Sequence, residues 1–506
     1  MQKIISFIQN IGGKKRYFLA FLIGCLITLA LPPVYFIPAA IAGFTCHLWQ
    51  LNSCQNKKQA FWLGWWFGWG FFTSGLYWIA VALTVDIKQF WWMVPFAVFG
   101  IPAVLAFYTG AVSLITFAIP KKGWQRVGVF AVLWTIAEIL RGYLFTGFPW
   151  NLVGYMWTVS DNMLQVASIT GIWGLCFFTV LAFAMPSIIT SKKDLIPVTA
   201  AFSILLVIYL GGVYRLSGEL AAHTDKMVRI VQGNIRQDQK WDVDLRADIV
   251  RKYMDMSRKE GFEKISAIVW PESAVPYFVE EDSNLLEALK LAIPKNGYLI
   301  TGSMHAQRDD YDFVGKMWNS LHVIDDNGRI VQVYDKHHLV PFGEYVPFRS
   351  ILPIEKITPG MTDFSTGPGV VTLPVDNLPS ISPLICYEAI FPGAVVNKNT
   401  PAELMINVTN DAWYGNSSGP YQHFNMVRVR AVEEGVPLIR SANTGISGVI
   451  DAYGRVVAKT TLSEDAVLDE FIPSHLEGKT IYNQFGNFVI FSILILFSIF
   501  IFIIKF

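Results

Sequence analysis

Apolar side chains fill the first 216 residues in successive runs separated by short polar connections. A hydrocarbon core about 30 Å thick takes roughly 20 helical residues to cross at 1.5 Å each. About seven runs approach that length: 16–31, 35–51, 60–83, 90–119, 127–145, 166–189 and 195–216, and an eighth, 485–506, closes the chain. The pattern predicts a membrane domain over 1–216, a second domain over 217–484 and a terminal span over 485–506. Pro32-Pro33 ends the first run, so the first two spans form a tight hairpin, and the fourth is long enough to tilt. A cleavable signal peptide is not expected: the first run is long, lacks a small-residue cleavage pattern and is followed by more spans.

From 217 the pattern changes to short β-rich runs alternating with amphipathic helices, which predicts a layered domain of both element types. Strands are expected at 228–232, 267–270, 298–302, 320–324, 330–334, 381–385, 404–408 and 438–441. Asp326-Asn327-Gly328 reads as a hairpin turn. Helical spacing links Leu245, Ile249, Tyr253 and Met256, and again Phe424, Val427 and Ala431. No internal repeat or low-complexity tract is present.

Composition supports the membrane reading: 53% of residues are hydrophobic, and the mean hydropathy of +0.40 is high for a soluble enzyme. A formal net charge of +1 gives no concentrated basic surface for nucleic acid. Charge does orient the spans. Lys14, Lys15 and Arg16 precede the first span, Lys57 and Lys58 follow the second, Lys121, Lys122 and Arg126 the fourth, and Lys192 and Lys193 the sixth. All fall on one side, while the alternate connections hold little beyond Lys88. The positive-inside rule then places the N-terminus in the cytoplasm and exports 217–484. Cys25, Cys46, Cys54 and Cys176 lie in the apolar part, leaving Cys386 alone in the polar one, where neither a disulfide framework nor a zinc cluster can be built.

Three reactive side chains each follow an expected strand: Glu272, Lys336 and Cys386. A rigid sheet can bring such strand ends to a common rim. A thiol is mostly protonated at neutral pH and needs a base, which Glu272 can supply. Charge growing on an attacked carbonyl oxygen can be stabilised by an ammonium, which suits Lys336, together with a backbone N–H. Each has a plainer reading: Cys386 as a small buried hydrophobe, Glu272 as a solvated strand-end carboxylate, Lys336 as a surface charge. An unpaired thiol in an oxidising compartment is nonetheless a liability unless it is used. His337 and His338 raise the alternative of a Cys-His dyad, but they lack metal spacing with a third ligand and fit supporting or solvated roles.

Trp270-Pro271-Glu272-Ser273, the block from Tyr334 through Lys336 to Tyr345, and Ile385-Cys386-Tyr387-Glu388 resemble the three catalytic blocks of the nitrilase superfamily. Asn410-Asp411-Ala412-Trp413-Tyr414-Gly415 and Arg430-Ala431-Val432-Glu433 fit as well. The long lysine block, ending Val340-Pro341-Phe342-Gly343-Glu344-Tyr345, looks like that superfamily's membrane branch, the apolipoprotein N-acyltransferases. Glu138, Arg141 and Thr146-Gly147-Phe148-Pro149-Trp150 also match its pattern, and seven spans, an exported domain and one terminal span are its plan. The resemblance implies a helical membrane domain plus an α/β, nitrilase-like αββα sandwich with a Glu272-Lys336-Cys386 triad. It further implies supporting roles for Glu344, Tyr387 and Glu388, no cofactor or metal, and a bacterial inner membrane location. Trp241 stands where the family uses an aromatic near the lipid entrance; an ordinary core tryptophan is the other reading.

The same resemblance implies a phospholipid acyl donor and, as acceptor, the α-amine of a diacylglyceryl-cysteine at an apolipoprotein N-terminus. Glu138 and Arg141, i and i+3 on one span, are expected to form an ion pair near the outer interface, with contact to a lipid head group as the alternative. Two rival functions stand beside acyl transfer. A membrane-tethered amidase would release its acyl group to water. A transporter or receptor would need broken helices and polar groups at the bilayer midplane, and the spans are instead rich in Phe, Trp, Leu and Ile.

Overall fold

The computed structural model describes residues 2–218, 222–311, 313–351, 355–358 and 362–504. Contacts divide the chain into two compact units, Met1–Gly218 with Thr480–Phe506, and Glu219–Lys479.

The first unit is helical: α1 (Gln2–Asn10), α2 (Gly13–Thr28), α3 (Ile37–Asn52), α4 (Lys57–Leu76), α5 (Ile101–Ala118), α6 (Gly123–Tyr143), α7 (Ala167–Ala184), α8 (Leu195–Leu216) and, at the end of the chain, Phe488–Ile503. Each expected span forms helix, but they differ in reach. Among the described residues, four stretches are long and apolar enough to cross a membrane, Ile87–Ala118, Gly123–Thr146, Ala167–Ile188 and Lys192–Leu216, whereas Phe488–Ile503 is shorter. α2 and α3 have 16 residues each because the turn around Pro32-Pro33 cuts them short. α4 opens on Asn56, whose side chain accepts from the Gln59 N–H at 2.9 Å. Its Trp and Gly content lowers its hydropathy, although its rings pack inward, Phe67 against Phe44 and Trp134. The outward faces are also apolar: Ile196, Leu206, Val207 and Leu210 of α8 are exposed, as are Phe488, Ile495, Leu496 and Ile503. Such a surface is stable against lipid rather than water.

The second unit has four layers. One sheet runs in the order β11-β1-β2-β3-β4-β5 and the other β10-β9-β8-β7-β6. The strands are β1 (His223–Gln232), β2 (Ala267–Val269), β3 (Tyr298–Arg308), β4 (Val314–Asp325), β5 (Ile330–Asp335), β6 (Ile381–Ile385), β7 (Leu404–Thr409), β8 (Leu438–Ala442), β9 (Gly448–Ile450), β10 (Val456–Lys459) and β11 (Ala466–Pro473). Side-chain alternation builds the layers. Val228, Ile230, Ala267 and Val269 of the first sheet meet Ile381, Ile385, Ile406 and Val408 of the second in one core. The opposite-facing Val231 and Ile268 pack with Ile249, Tyr253 and Met256 of α9 (Arg246–Ser257). Leu384 and Met405 pack with Phe424, Val427 and Ala431 of α10 (Ser418–Glu434). Helix, sheet, sheet, helix is the αββα sandwich, and each fully buried Leu, Ile or Val in it contributes about 1.5–3 kcal/mol.

The expected strands form, several of them longer than expected, and Asp325 to Arg329 makes the β4–β5 turn with Gly328 at φ +75°. β9, β10 and β11 were not anticipated. β9 is three residues long, and Asp469 and Glu470 interrupt the apolar run of β11.

Candidate active site

Parallel pairing of β1, β2 and β3, and of β6, β7 and β8, aligns strand ends at one rim of the sandwich. Glu272 lies in the turn after β2, Lys336 directly follows β5, and Cys386 directly follows β6, at φ +50°. All three are buried, Lys336 completely. The turn carrying Glu272 is pressed against β3: a Cβ at Gly302 would stand 2.4 Å from the Ser273 nitrogen and 2.6 Å from the Glu272 Cα. Only glycine permits that approach.

Lys336 Nζ donates to Glu344 Oε1 at 3.0 Å, lies 2.9 Å from Oε2 of the same carboxylate, and stands 4.0 Å from Glu272 Oε1. Burial works against its charge, but Glu344 and Glu272 outweigh that and hold Lys336 above the usual lysine range. Glu344 is fixed in turn by the Val340 N–H at 2.8 Å. The Cys386 thiol is pushed up to about 12, first by burial and then by the charge of Glu272, with Lys336 acting in the opposite direction. The resting sulfur is therefore a thiol within the field of a carboxylate and an ammonium. Glu272 Oε2 is buried with no hydrogen-bond partner among the described residues, so one oxygen is free to take a proton.

Glu388 joins the lysine block to the cysteine turn. Its Oε1 accepts from the Tyr334 hydroxyl (2.8 Å) and the N–H groups of His337 (2.9 Å) and His338 (3.2 Å), while Oε2 accepts from the Ile385 N–H (2.7 Å). His337 Nδ1 is 2.7 Å from the same carboxylate, and the His338 ring stacks on Phe391 at 3.8 Å. Both histidines thus pack around Glu388 and Phe391. Tyr387 is buried edge-on to Phe391.

Several polar groups of this site escaped the sequence reading. Asn319 Nδ2, within β4, donates to Glu272 Oε1 (2.7 Å) and Glu344 Oε1 (2.9 Å), bridging the two carboxylates. Lys240, buried, donates from Nζ to the Glu272 carbonyl at 2.7 Å. Near Cys386, Asp411 pairs with Arg440 (2.7 Å) and His423 (2.9 Å), Arg440 also donates to Asn407 Oδ1, and Asn407 Nδ2 holds the Leu384 carbonyl of β6 at 3.1 Å. The strand that ends at Cys386 is anchored from its neighbours. The only signals in the sequence were polar residues inside apolar strands and the Asn410-to-Gly415 block. Among the described residues, no cluster of His, Cys, Asp and Glu is arranged to hold a metal ion.

Trp241 is half-buried in the turn that carries Lys240. In the helical unit, Glu138 and Arg141 are both buried on α6, but the expected ion pair is absent: no contact within 4 Å joins them. Each serves the turn after the helix instead. Arg141 Nη1 donates to the carbonyls of Phe148 (2.5 Å) and Trp150 (2.6 Å), and Glu138 Oε1 accepts from the Val153 N–H at 3.1 Å. Backbone groups left over where a helix stops are costly in an apolar surrounding, and they outcompete the i,i+3 pairing.

Residues 227–482 match the carbon-nitrogen hydrolase family, and residues 23–185 match the apolipoprotein N-acyltransferase N-terminal domain. An amidase from Nesterenkonia sp. AN1 is 16% identical with a TM-score of 0.38, covering 54% of this chain and 99% of its own. The apolipoprotein N-acyltransferase of Rickettsia prowazekii is 38% identical over 95% of this chain and 98% of its own, and that of Rhodopseudomonas palustris is 36% identical over 96% and 95%. With both parts of the chain matched and full-length relatives above 35% identity, this protein is a membrane acyltransferase that belongs to the apolipoprotein N-acyltransferase family.

Proposed function

We propose that Cys386 is the nucleophile, Glu272 its general base and Lys336 the oxyanion stabiliser of a two-step transfer from a membrane phospholipid to an apolipoprotein. The observation that carries this reading is the convergence of the three side chains in one buried site, with Glu272 Oε2 left without a partner among the described residues. In the first step the Cys386 proton passes to Glu272, the sulfur bonds to the donor's ester carbonyl, and the C–O bond breaks. The lysophospholipid oxygen leaves with the proton from Glu272. In the second, the α-amine of a diacylglyceryl-cysteine attacks the thioester. An amide bond forms, the C–S bond breaks, and the amine proton returns to sulfur through Glu272. Lys336 and the N–H groups opening the turn at Cys386 face the charge that develops on the carbonyl oxygen in both steps.

Glu344 and Asn319 hold Lys336 and Glu272 in register, and Glu388 locks the two loops that carry the lysine and the cysteine. Trp241, next to Lys240 in its turn, is the residue assigned to meet the acyl donor, and Arg141 and Glu138 shape a turn of the membrane unit. The positive clusters on alternate connections support an orientation in a bacterial inner membrane with both termini in the cytoplasm and the second unit outside it.

Intact mass measurement of the purified enzyme in phospholipid nanodiscs tests the reading. Cys386 gains one acyl mass in the parent, Cys386→Ala gains none, and a diacylated lipopeptide then takes the acyl group. An adduct that survives in Cys386→Ala, or free fatty acid released at one rate with and without lipopeptide, overturns it.

A further inference from the structure

The charge of Lys336 is largely committed to Glu344, yet a second lysine reaches the same site. Lys240 arrives on the segment after β1, and that segment is anchored where the second sheet ends. The Asn443 side chain accepts from the Ile235 N–H (2.8 Å) and donates to the Ile235 carbonyl (2.7 Å), and Asn410 Nδ2 donates to Gln237 (2.7 Å). The turn at 236–240 then folds the lysine inward, with the Lys240 N–H on the Arg236 carbonyl at 3.1 Å.

Lys240 is 3% exposed, and the one hydrogen bond that its ammonium makes among the described residues is to the Glu272 carbonyl. Enclosing an ammonium costs several kcal/mol, and an ammonium has three donors. A group held inside at that cost acts on what it touches. What it touches is strained: Ser273, next in the chain, stands at φ +47°, a conformation that side-chain-bearing residues rarely adopt. Gly302, having no side chain, lets the backbone of β3 press directly against that turn. With the carbonyl captured on one side and β3 on the other, the Glu272 carboxylate is directed at Asn319 and Lys336.

Building on the reading of Glu272 as the base, we propose that Lys240 is a positioning residue: its buried ammonium clamps the strained turn carrying Glu272 and adds a second positive charge beside Glu272 and Cys386. The titratable groups acting on Lys240 are Glu272 and Cys386, and burial outweighs both, lowering it to about 8. The clamp is charged at neutral pH and is lost as pH rises through that value.

Single-turnover thioester formation on Cys386, measured in phospholipid nanodiscs from pH 6 to 10, tests this in the parent, Lys240→Met, Lys240→Arg and Glu272→Gln. Lys240→Met is expected to slow acylation about 100-fold with the lipid concentration for half-saturation unchanged, and to lack the fall in rate that the parent shows near pH 8. Lys240→Arg, whose guanidinium does not titrate, restores most of the rate and moves that fall upward. Parental rates in Lys240→Met, a loss confined to half-saturation, or an unmoved alkaline fall in Lys240→Arg overturns the inference. If Lys240→Met does not fold, the Lys240→Arg profile decides alone. Glu272→Gln separates the two readings: parental acylation there sinks the assignment of the base and the clamp with it, whereas a dead Glu272→Gln beside a parental Lys240→Met sinks only the clamp.

Discussion

A carboxylate beside a thiol does two opposed things, and Cys386 shows both. Burial and then the charge of Glu272 hold the proton on sulfur, while the Glu272 oxygen that has no partner among the described residues is the acceptor to which that proton can go. On the proposed mechanism thiolate need not accumulate; it forms as the ester carbonyl approaches. Replacing Glu272 by Gln therefore separates basicity from reactivity. Alkylation of Cys386 by iodoacetamide at pH 8 is expected to speed up in Glu272→Gln, because the charge opposing thiolate is gone. Acylation by phospholipid is expected to fall about 10²- to 10⁴-fold. Parallel loss of both would show that Glu272 is structural. Deeper in, burial works against the charge of Asp411, but Arg440 and His423 outweigh it and lower Asp411 to about 2. A depressed carboxyl contributes stability above its unfolded value near 4 and loses that contribution as pH falls through its folded value near 2. Asp411→Asn leaves the Arg440 charge enclosed without its counter-charge, at about 3–5 kcal/mol. Thermal unfolding of the full chain in detergent is expected to shift down by roughly 10 °C.

At the scale of elements, two-sided burial explains what the sequence discloses. Strands such as Ile381–Ile385 and Leu404–Thr409 are apolar on both faces because one sheet lies against them and a helix covers them, and such runs stand out in a sequence. β9, β10 and β11 are short, or half-exposed and mixed in polarity, so they leave no comparable trace. The three reactive residues were legible because each follows a strand inside an extended local pattern. Asn319, Lys240 and the Asp411–Arg440–His423 group were not, since each acts through a partner 12 to 47 residues away, and spacing does not encode that contact. The Glu138–Arg141 expectation failed for a related reason: helical spacing permits a pair, but the turn at 148–153 supplies competing backbone partners. Packing between strands has its own test in Gly302→Ala. The added methyl must displace the backbone of the Glu272 turn, so catalysis should suffer more than stability. About 100-fold slower acylation with a loss of about 1–3 kcal/mol is expected, from parallel acylation and thermal-unfolding measurements.

For the whole molecule, the exposed apolar faces of α8 and of Phe488–Ile503 set a lipid environment, and the proposed sidedness rests on the placement of lysines. Tyr311, which is 83% exposed, offers a test on the second unit. A cysteine there is expected to react with a membrane-impermeant maleimide in intact spheroplasts, whereas one at Lys57 reacts only after permeabilisation. Equal labelling of both in intact spheroplasts would overturn the orientation. The pairing of β1 with β11 carries a separate consequence. His223 lies opposite Pro473, and the Ser474 N–H donates to the Ala222 carbonyl at 2.8 Å, so the incoming and outgoing chain run as neighbouring strands. A segment whose two ends meet needs no long detour to be spliced into a host. Residues 222–474 thus hold every strand of both sheets between two ends that meet as paired neighbours.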